Sequence, residues 1–516
     1  MTTTITATTS LDELPNDLQT LKQMITALLS DADQKAHRIL DLEHQLEHLK
    51  RRLFGRKSEK LDEKQLMLFQ ELLQQVQQAR AAAAPVSPPP AAEVKPRPKP
   101  TGRKPLPASL PVKQEELLPD KDELVCAIHG CEKKRIGEEV TEYLEFQPAS
   151  FYRQQIIRPK YACALCEGNI AIAELPARPI DKGLAGPGVL AHVLVSKYAD
   201  HLPLNRLEGI FARHGLDINR STMCRWVADS SDLLEPIVKE MKRMVLSSRK
   251  IHTDDTHVPV LEKDKKQTKR GYLWVYVGDQ GDVVFDYTPN RCREGPVAFL
   301  DSFKGYLQAD AYNGYDAVFL NPAVVEVACW AHARRKFNDA FETGRSICLQ
   351  MLEYIRQLYA VERDAKEKNL DASGRFFLRL EKSRPILETI KAKLDEWSVA
   401  ALPKSPVGQA IGYALNQWEA LMRFLENGIL EIDNNLSERT LRMVAIGRKN
   451  WRFAGSDEGG KRAAIIYSLV ASCKIIEIDP FAYLRDVLDR VSTHPNSRIA
   501  ELTPRGWKAE RENTKP

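Results

Sequence analysis

The sequence predicts a multidomain α+β protein, and three observations carry that reading. A helix with heptad-spaced apolar residues opens the chain, a proline-dense stretch follows it, and from Lys250 onward strand-like and helical segments alternate. At 516 residues the chain exceeds what one hydrophobic core organises. Hydrophobic residues make up 43% and charged residues 28%, with a net charge of only +5. Such a balance is that of a soluble globular protein, so any basic surface has to be sought in local clusters. No apolar run of about 18 residues occurs, and the opening MTTTITATTS has neither a basic start nor an apolar core. The expectation is a cytoplasmic protein without a membrane span. Nine cysteines, an odd number, argue against a disulfide framework and for thiols or metal ligands.

Residues 15–82 are expected to form a coiled coil and a basic helix. Leu18, Leu21, Ile25, Leu28, Ala32, Ile39, Leu42, Leu46, Leu49 and Leu53 keep a heptad seam broken only at Lys35, which predicts self-association into a homodimer or higher oligomer. RRLFGRKSEK then gathers Arg51, Arg52, Arg56 and Lys57, a candidate phosphate-binding cluster. Residues 83–110 hold PVSPPPAAEVKPRPKPTGRKPLP and read as an extended, solvated linker. Residues 111–180 carry CAIHG and CALC, separated by a two-stranded segment. Cys126, His129, Cys163 and Cys166 therefore match the tetrahedral nitrogen and sulfur geometry of a structural zinc ribbon.

Residues 181–247 read as helical and resemble a helix-turn-helix. HGLDIN supplies the Gly215 turn, Ser221 is the expected N-cap of the second helix, and Arg220 and Arg225 stand at its start where they can meet phosphates or bases.

From residue 248 to 345, KIHTDDTHVPVL, YLWVYVGD and DVVFDYTPN read as three meandering strands. REGPVAFLDSFK then reads as a helix, GYLQADAYNGYD as a strand ending at Asp310, and AVVEVACWAHARRKF as a strand entering a helix. That order is the order of an RNase H-like α/β domain. Residues 346–430 read as a helical insertion, 431–492 as the second part of the domain, and 493–516 as a tail. Asp254 and Asp255 lie in a strand whose surroundings are apolar, where an unpaired carboxylate is costly and a cation would relieve it. Adjacent strand residues face opposite sides, and apolar parity does not choose between the two in a strand buried on both faces. Asp310 on the fourth strand and Glu438 in EIDNNLSERTLRMVAIGRKNWRFAG complete a set of acids able to bind two Mg²⁺ (or Mn²⁺) ions. Asp433 can cap the Glu438 helix, with Asn434 and Asn435 near the same face. The bland counterparts are a turn role for Asp310 and an i,i+4 ion pair with Arg442 for Glu438. Around the acids stand Arg334 and Arg335 beside His332, then Arg439, Arg442, Arg448, Lys449 and Arg452 with Trp451 interleaved, a candidate DNA-binding surface.

RRLFGRKSEK, CAIHG with CALCEG, YADHLPLNRLEGIFARHG, DDT, ADAYNGYD, CWAHARRKF, DNNLSERTLRMVAIGRKNW and YLRDVL together resemble the DDE transposases of the insertion sequence 66 family, over residues from about 15 to Trp507. The resemblance implies an enzyme that binds terminal inverted repeats, cleaves DNA strands and joins 3′-hydroxyl ends to target DNA. It makes Asp254, Asp310 and Glu438 the metal-holding triad and Asp255, His332, Asn434 and Asn435 supporting residues. Asp255 stands where the family more usually has Glu, and His129 departs from the usual first zinc knuckle. DNA is the expected partner, joined by accessory proteins of the same element. A nuclease or resolvase without strand transfer, and a non-catalytic DNA-binding regulator, are the competing expectations.

Overall fold

The computed structural model describes residues 183–262 and 267–513 continuously, with scattered residues before them. Gln19, Lys22, Thr26, Lys35 and Arg38 are helical and exposed; the heptad seam, the cluster Arg51, Arg52, Arg56 and Lys57, the linker, and Cys126, His129, Cys163 and Cys166 lie outside the described residues. Lys160–Tyr161 pairs antiparallel with Ala171–Ile172, one segment on either side of CALC in the sequence.

A five-stranded sheet organises the rest. Its strands are β1 (Lys250–Glu262), β2 (Gln267–Gly278), β3 (Val283–Thr288), β4 (Gly305–Gln308) and β5 (Val324–Val327), in the spatial order β3-β2-β1-β4-β5. The first three form an antiparallel meander, while β4 and β5 run parallel to β1. All five follow the expected order, but the β1–β2 ladder continues to Glu262 and Gln267, farther than the polar hairpin reading implied, and β4 ends at Gln308, two residues short of the expected end at Asp310, where the chain leaves the ladder for the turn before Asn313. β-branched and aromatic residues that are apolar on both faces, such as Val275, Tyr276 and Val277, explain why these strands are covered on both sides.

Directly before the sheet come α1 (Pro187–Tyr198), α2 (Leu204–Arg213) and α3 (Arg220–Leu246). Gly215, at φ +74°, makes the turn after α2, a conformation that costs glycine little. The N-cap of α3 is Asn219, a correction to the expected Ser221: the Asn219 Oδ1 accepts from Thr222 N–H at 3.0 Å and from the Ser221 hydroxyl at 2.6 Å. An amide oxygen already in place leaves Ser221 free to enter the first turn. α3 runs on through Pro236 for 27 residues, and Trp226, Leu234, Ile237 and Met241 bury its inner side.

Between β3 and β4 lies α4 (Glu294–Leu300); α5 (Asp316–Phe319) precedes β5, and α6 (Trp330–Asp339) leaves it. The helical insertion then consists of α7 (Arg345–Glu367), α8 (Ala372–Leu378), α9 (Arg384–Ala400), α10 (Pro406–Asn416) and α11 (Trp418–Met422). Its Met351, Ile355, Leu387, Ile390 and Ile411 share one core with Trp330, Ala333 and Phe337 of α6, so it is built onto the sheet domain. Arg379 is fully buried within it, bonded to both Glu362 oxygens and to the carbonyls of Phe424 and Leu430. Arg375 joins Glu362 to Glu431, and Lys250 of β1 donates to the Ile429 carbonyl at 2.5 Å. A buried ionic network of this kind fixes where the insertion returns to the sheet.

The return leads into α12 (Asn435–Trp451), α13 (Asp457–Ile475), α14 (Pro480–Arg490) and α15 (Pro504–Asn513). At Gly447 a Cβ would come within 2.7 Å of Trp451 Nε1 and 2.9 Å of the Tyr467 hydroxyl, so the α12–α13 approach requires glycine there. α13 covers the β3 margin. Phe285 N–H donates to Ser468 Oγ at 2.8 Å, and Val283 N–H donates to Ser472 Oγ at 2.9 Å. Among the described residues, no helix is long and apolar enough to cross a membrane.

Candidate active site

The parallel register aligns the first two acids. Lys250 faces Tyr306, Ile251 faces Leu307 and His252 faces Gln308; the same offset carried two residues past the end of the ladder sets Asp310 beside Asp254. Strands pair at about 4.8 Å, so their carboxylates are neighbours.

Asp254 shares its strand parity with His252 and Thr256, and both of those side chains reach toward α12. His252 Nδ1 is 3.0 Å from Asn434 Oδ1, and Arg448 Nη1 donates to Thr256 Oγ1 at 2.7 Å. Partners thus settle what apolar parity left open: Asp254 faces the helix that carries Glu438. Asn434 is buried and acts as the fastener. Its Nδ2 donates to Thr253 O at 2.7 Å and its backbone N–H meets Cys329 Sγ at 3.2 Å, joining β1, the β5–α6 junction and the start of α12. The N-cap of α12 is Asn434, with no side-chain capping bond, a correction to the expected Asp433: Asp433 stands one residue earlier and accepts from Asn435 N–H at 3.1 Å and from Tyr359. Just upstream, Gln308 exchanges two 2.9 Å hydrogen bonds with the Glu431 backbone. Nothing in the sequence pattern announced Asn434 as a cross-strand fastener or Gln308 as a clamp.

Glu438, one turn into α12, leans toward α6: its Oε1 is 3.8 Å from His332 Nε2 and 3.7 Å from Arg335 Nη2. Its ionic partners are therefore on α6, whereas the bland reading paired it with Arg442.

Asp255 points the other way, into a setting that sequence reasoning missed. Arg291, in the loop after β3, grips it with Nε at 2.9 and 3.0 Å from the two oxygens and Nη2 at 2.7 Å. The same Nη2 is 4.0 Å from Asp310 Oδ2, and the guanidinium lies 3.8 Å over the Tyr312 ring. An arginine inside TPNRCREG looks like any loop cation, so only the fold reveals this placement.

The electrostatics follow from this crowding. Burial, then Asp310, Asp255 and Glu438, push the Asp254 carboxyl from 3.8 up to about 7, against one opposing hydrogen bond from Asp255 N–H at 2.7 Å. Burial raises Asp255 as well, opposed by Arg291. His332 is lowered by burial and by Arg335, while Asp310 and Glu438 pull it back up. His252 is pushed down to about 4 by burial, which keeps it neutral beside Asn434. The Asp310 Oδ1 is buried and has no hydrogen-bond partner. A buried, unpartnered carboxylate oxygen next to a second acid that resists ionisation marks a place short of positive charge, and an oxygen donor set of this kind fits a hard divalent cation. Among the described residues, no three acid, imidazole or thiol groups already stand together at ligating spacing. The reason is visible in the contacts: Asp254 is turned onto the Asp255 amide and Glu438 onto α6.

Of the basic residues, Arg334, Arg335, Arg439, Arg442, Lys449 and Arg452 are exposed, as are Arg220 and Arg225 on α3. Arg448 differs. It is committed to Thr256 Oγ1 and to His257 O at 2.6 Å, fastening α12 to β1.

Comparison with known proteins identifies the family. A sequence model described as "Transposase IS66 family" matches residues 182–462, and "IS66 C-terminal element" matches 468–505. Before them, "Transposase C of IS166 homeodomain" matches 41–114 and "zinc-finger binding domain of transposase IS66" matches 123–167. Among curated relatives from Sinorhizobium fredii, the protein called "Uncharacterized protein y4hP" is 33% identical over 501 residues, covering 91% of this chain and 89% of its own. "Uncharacterized protein y4qI" is 32% identical over 542 aligned residues, covering 96% and 98%. With the main match alone spanning more than half of its residues, the chain belongs to the IS66 family of transposases.

Proposed function

We propose that this transposase is a DDE-type polynucleotidyl transferase with an RNase H-like core. On this reading it binds terminal inverted repeats, cleaves DNA strands and joins 3′-hydroxyl ends to target DNA. The observation that carries the reading is the parallel β1–β4 register that sets Asp310 beside Asp254, with the proton affinity of Asp254 raised by burial and then by Asp310, Asp255 and Glu438. The β3-β2-β1-β4-β5 order, with two strands parallel to β1, supports the core assignment. Asp254, Asp310 and Glu438 would hold two Mg²⁺ or Mn²⁺ ions, whose chemistry when bound is to activate a water or 3′-hydroxyl and stabilise the leaving oxygen.

The chain's own residues supply the rest. Asn434 holds the start of α12 against β1, which fixes the position of the turn that carries Glu438 relative to the strand that carries Asp254. Arg335 and His332 flank Glu438 and can take a phosphate oxygen once the carboxylate turns inward. Arg439, Arg442 and Lys449 on the exposed side of α12 and Arg452 just after it, with Arg334, Arg220 and Arg225, bind the DNA backbone. A Cys126, His129, Cys163 and Cys166 zinc ribbon and a coiled coil through the heptad seam would hold subunits and DNA ends together, alone or with accessory proteins of the element.

The test is a strand-transfer assay on terminal-repeat DNA with Mg²⁺, comparing wild type with Asp254→Asn, Asp310→Asn and Glu438→Gln. Loss of cutting and joining with retained DNA binding is expected of all three variants. Variants that still cut and join sink the triad, and a wild type that cuts without joining replaces transposition by hydrolysis. Metal analysis of the full chain is expected to return one zinc per chain, lost on Cys163→Ser.

A further inference from the structure

We infer that Arg291 is an internal counter-cation of the acid cluster: parked on Asp255, it competes with a divalent ion for Asp310 and yields when a DNA phosphate draws it away. The inference rests on the proposed metal-holding role of the acids and concerns a positioning residue outside them.

Three observations converge on it. The grip on Asp255 is tight, with three contacts between 2.7 and 3.0 Å, whereas the approach to Asp310 is loose, at 4.0 Å from Oδ2. Arg291 is therefore shared unequally between two acids, near enough to Asp310 to neutralise part of its charge without taking up its lone pairs. Next, the guanidinium plane stacks on Tyr312, whose hydroxyl donates back to the Arg291 carbonyl. Tyr312 stands two residues after Asp310, so the loop carrying Arg291 and the loop carrying Asp310 are fastened to each other and the cation's reach is limited. Finally, the side chain is 37% exposed while Asp255 is 5% exposed. The side chain is thus partly accessible from solvent, and a planar fork binds a phosphate in two places as readily as a carboxylate.

This arrangement makes metal and DNA binding interdependent. With DNA absent, the guanidinium opposes a second positive charge beside Asp310. With DNA bound, the phosphate takes up that charge and the opposition falls. Linkage requires the reverse too, metal favouring DNA by the same factor.

The experiment is Mn²⁺ binding to the full chain, measured by the electron paramagnetic resonance signal of the free ion, with and without a duplex. Asp254→Asn serves as the reference for the site itself. Arg291→Met is expected to tighten Mn²⁺ about tenfold without DNA, since a unit charge at this range and an effective dielectric near 20 changes affinity by at least that factor. Asp255→Asn, which frees the guanidinium to close on Asp310, is expected to weaken Mn²⁺. Arg291→Lys keeps the charge and should stay near wild type, which separates a charge effect from a folding defect. Duplex should tighten Mn²⁺ in wild type and have little effect in Arg291→Met. If wild type binds Mn²⁺ and Asp254→Asn does not, yet Arg291→Met binds no tighter than wild type, the counter-cation is overturned while the metal site stands. If wild type and Asp254→Asn bind Mn²⁺ alike, the metal site falls and this inference falls with it.

Discussion

Replacing Asp254 by Asn should stabilise the metal-free protein at alkaline pH. The folded carboxyl has been moved from 3.8 to about 7 by burial and by Asp310, Asp255 and Glu438. An upward shift of roughly three units corresponds to about 4 kcal/mol. Below the unfolded value both states are protonated and nothing is lost. As pH rises through the window from about 4 to about 7, the unfolded chain releases the proton while the folded chain keeps it, and folding stability falls. Above the folded value the whole penalty is present. Asn has the shape of the carboxyl without its charge, so Asp254→Asn should be about 2–4 kcal/mol more stable than wild type at pH 8, the lower end allowing for the hydrogen bond from Asp255 N–H that favours the anion. At pH 5 the gain should shrink by most of that amount. The assay is urea unfolding in excess chelator at both values, with the slope checked for constancy. A variant equally stable or less stable than wild type at pH 8, with no dependence on pH, would refute the reasoning: the acid would then already be neutralised within the fold.

Three further outcomes follow from single contacts. Asn434→Ala strips partners from the buried His252 Nδ1 and Thr253 carbonyl and should cost about 3 kcal/mol in urea unfolding, with DNA cleavage falling along with it; a neutral result would show that α12 is held elsewhere. Arg442→Ala and Lys449→Ala should each reduce the slope of log affinity against log salt by about 0.9, whereas Arg448→Met, whose side chain is spent on Thr256 and His257, should lower stability and leave the slope unchanged. Ser468→Ala and Ser472→Ala each remove the acceptor of a β3 amide and should each cost about 1–2 kcal/mol by the same unfolding measurement.

Regular elements were legible because their signals are local. KIHTDDTHVPVL and YLWVYVGD are β-branched and aromatic runs, and GYLQADAYNGYD ends in turn residues; such patterns need no knowledge of neighbours. The three acids were expected from their slots in that order and from family likeness. Apolar parity could not say which of Asp254 and Asp255 faces α12, because the strand is covered on both sides and only the side-chain partners of His252 and Thr256 reveal that face. Asn434, Gln308 and Arg291 act through residues tens to more than a hundred positions away, and no short-range period encodes such pairings. At Asn219 the miss was smaller: Asn and Ser both suit an N-cap, and the backbone geometry decides between them.

Both margins of the central sheet are occupied by groups from elsewhere in the chain. On one side the serine hydroxyls of α13 take the β3 amides; on the other, Arg423 donates to the Glu326 carbonyl of β5 at 2.7 Å, and Ala328 N–H just beyond the strand donates to Ala420 O at 3.0 Å. A second subunit is thereby denied the simplest handhold, lengthening of the sheet by a borrowed strand. If copies come together on DNA as proposed, their contact with this part of the chain would fall on helices and loops, and the sheet would stay as it is.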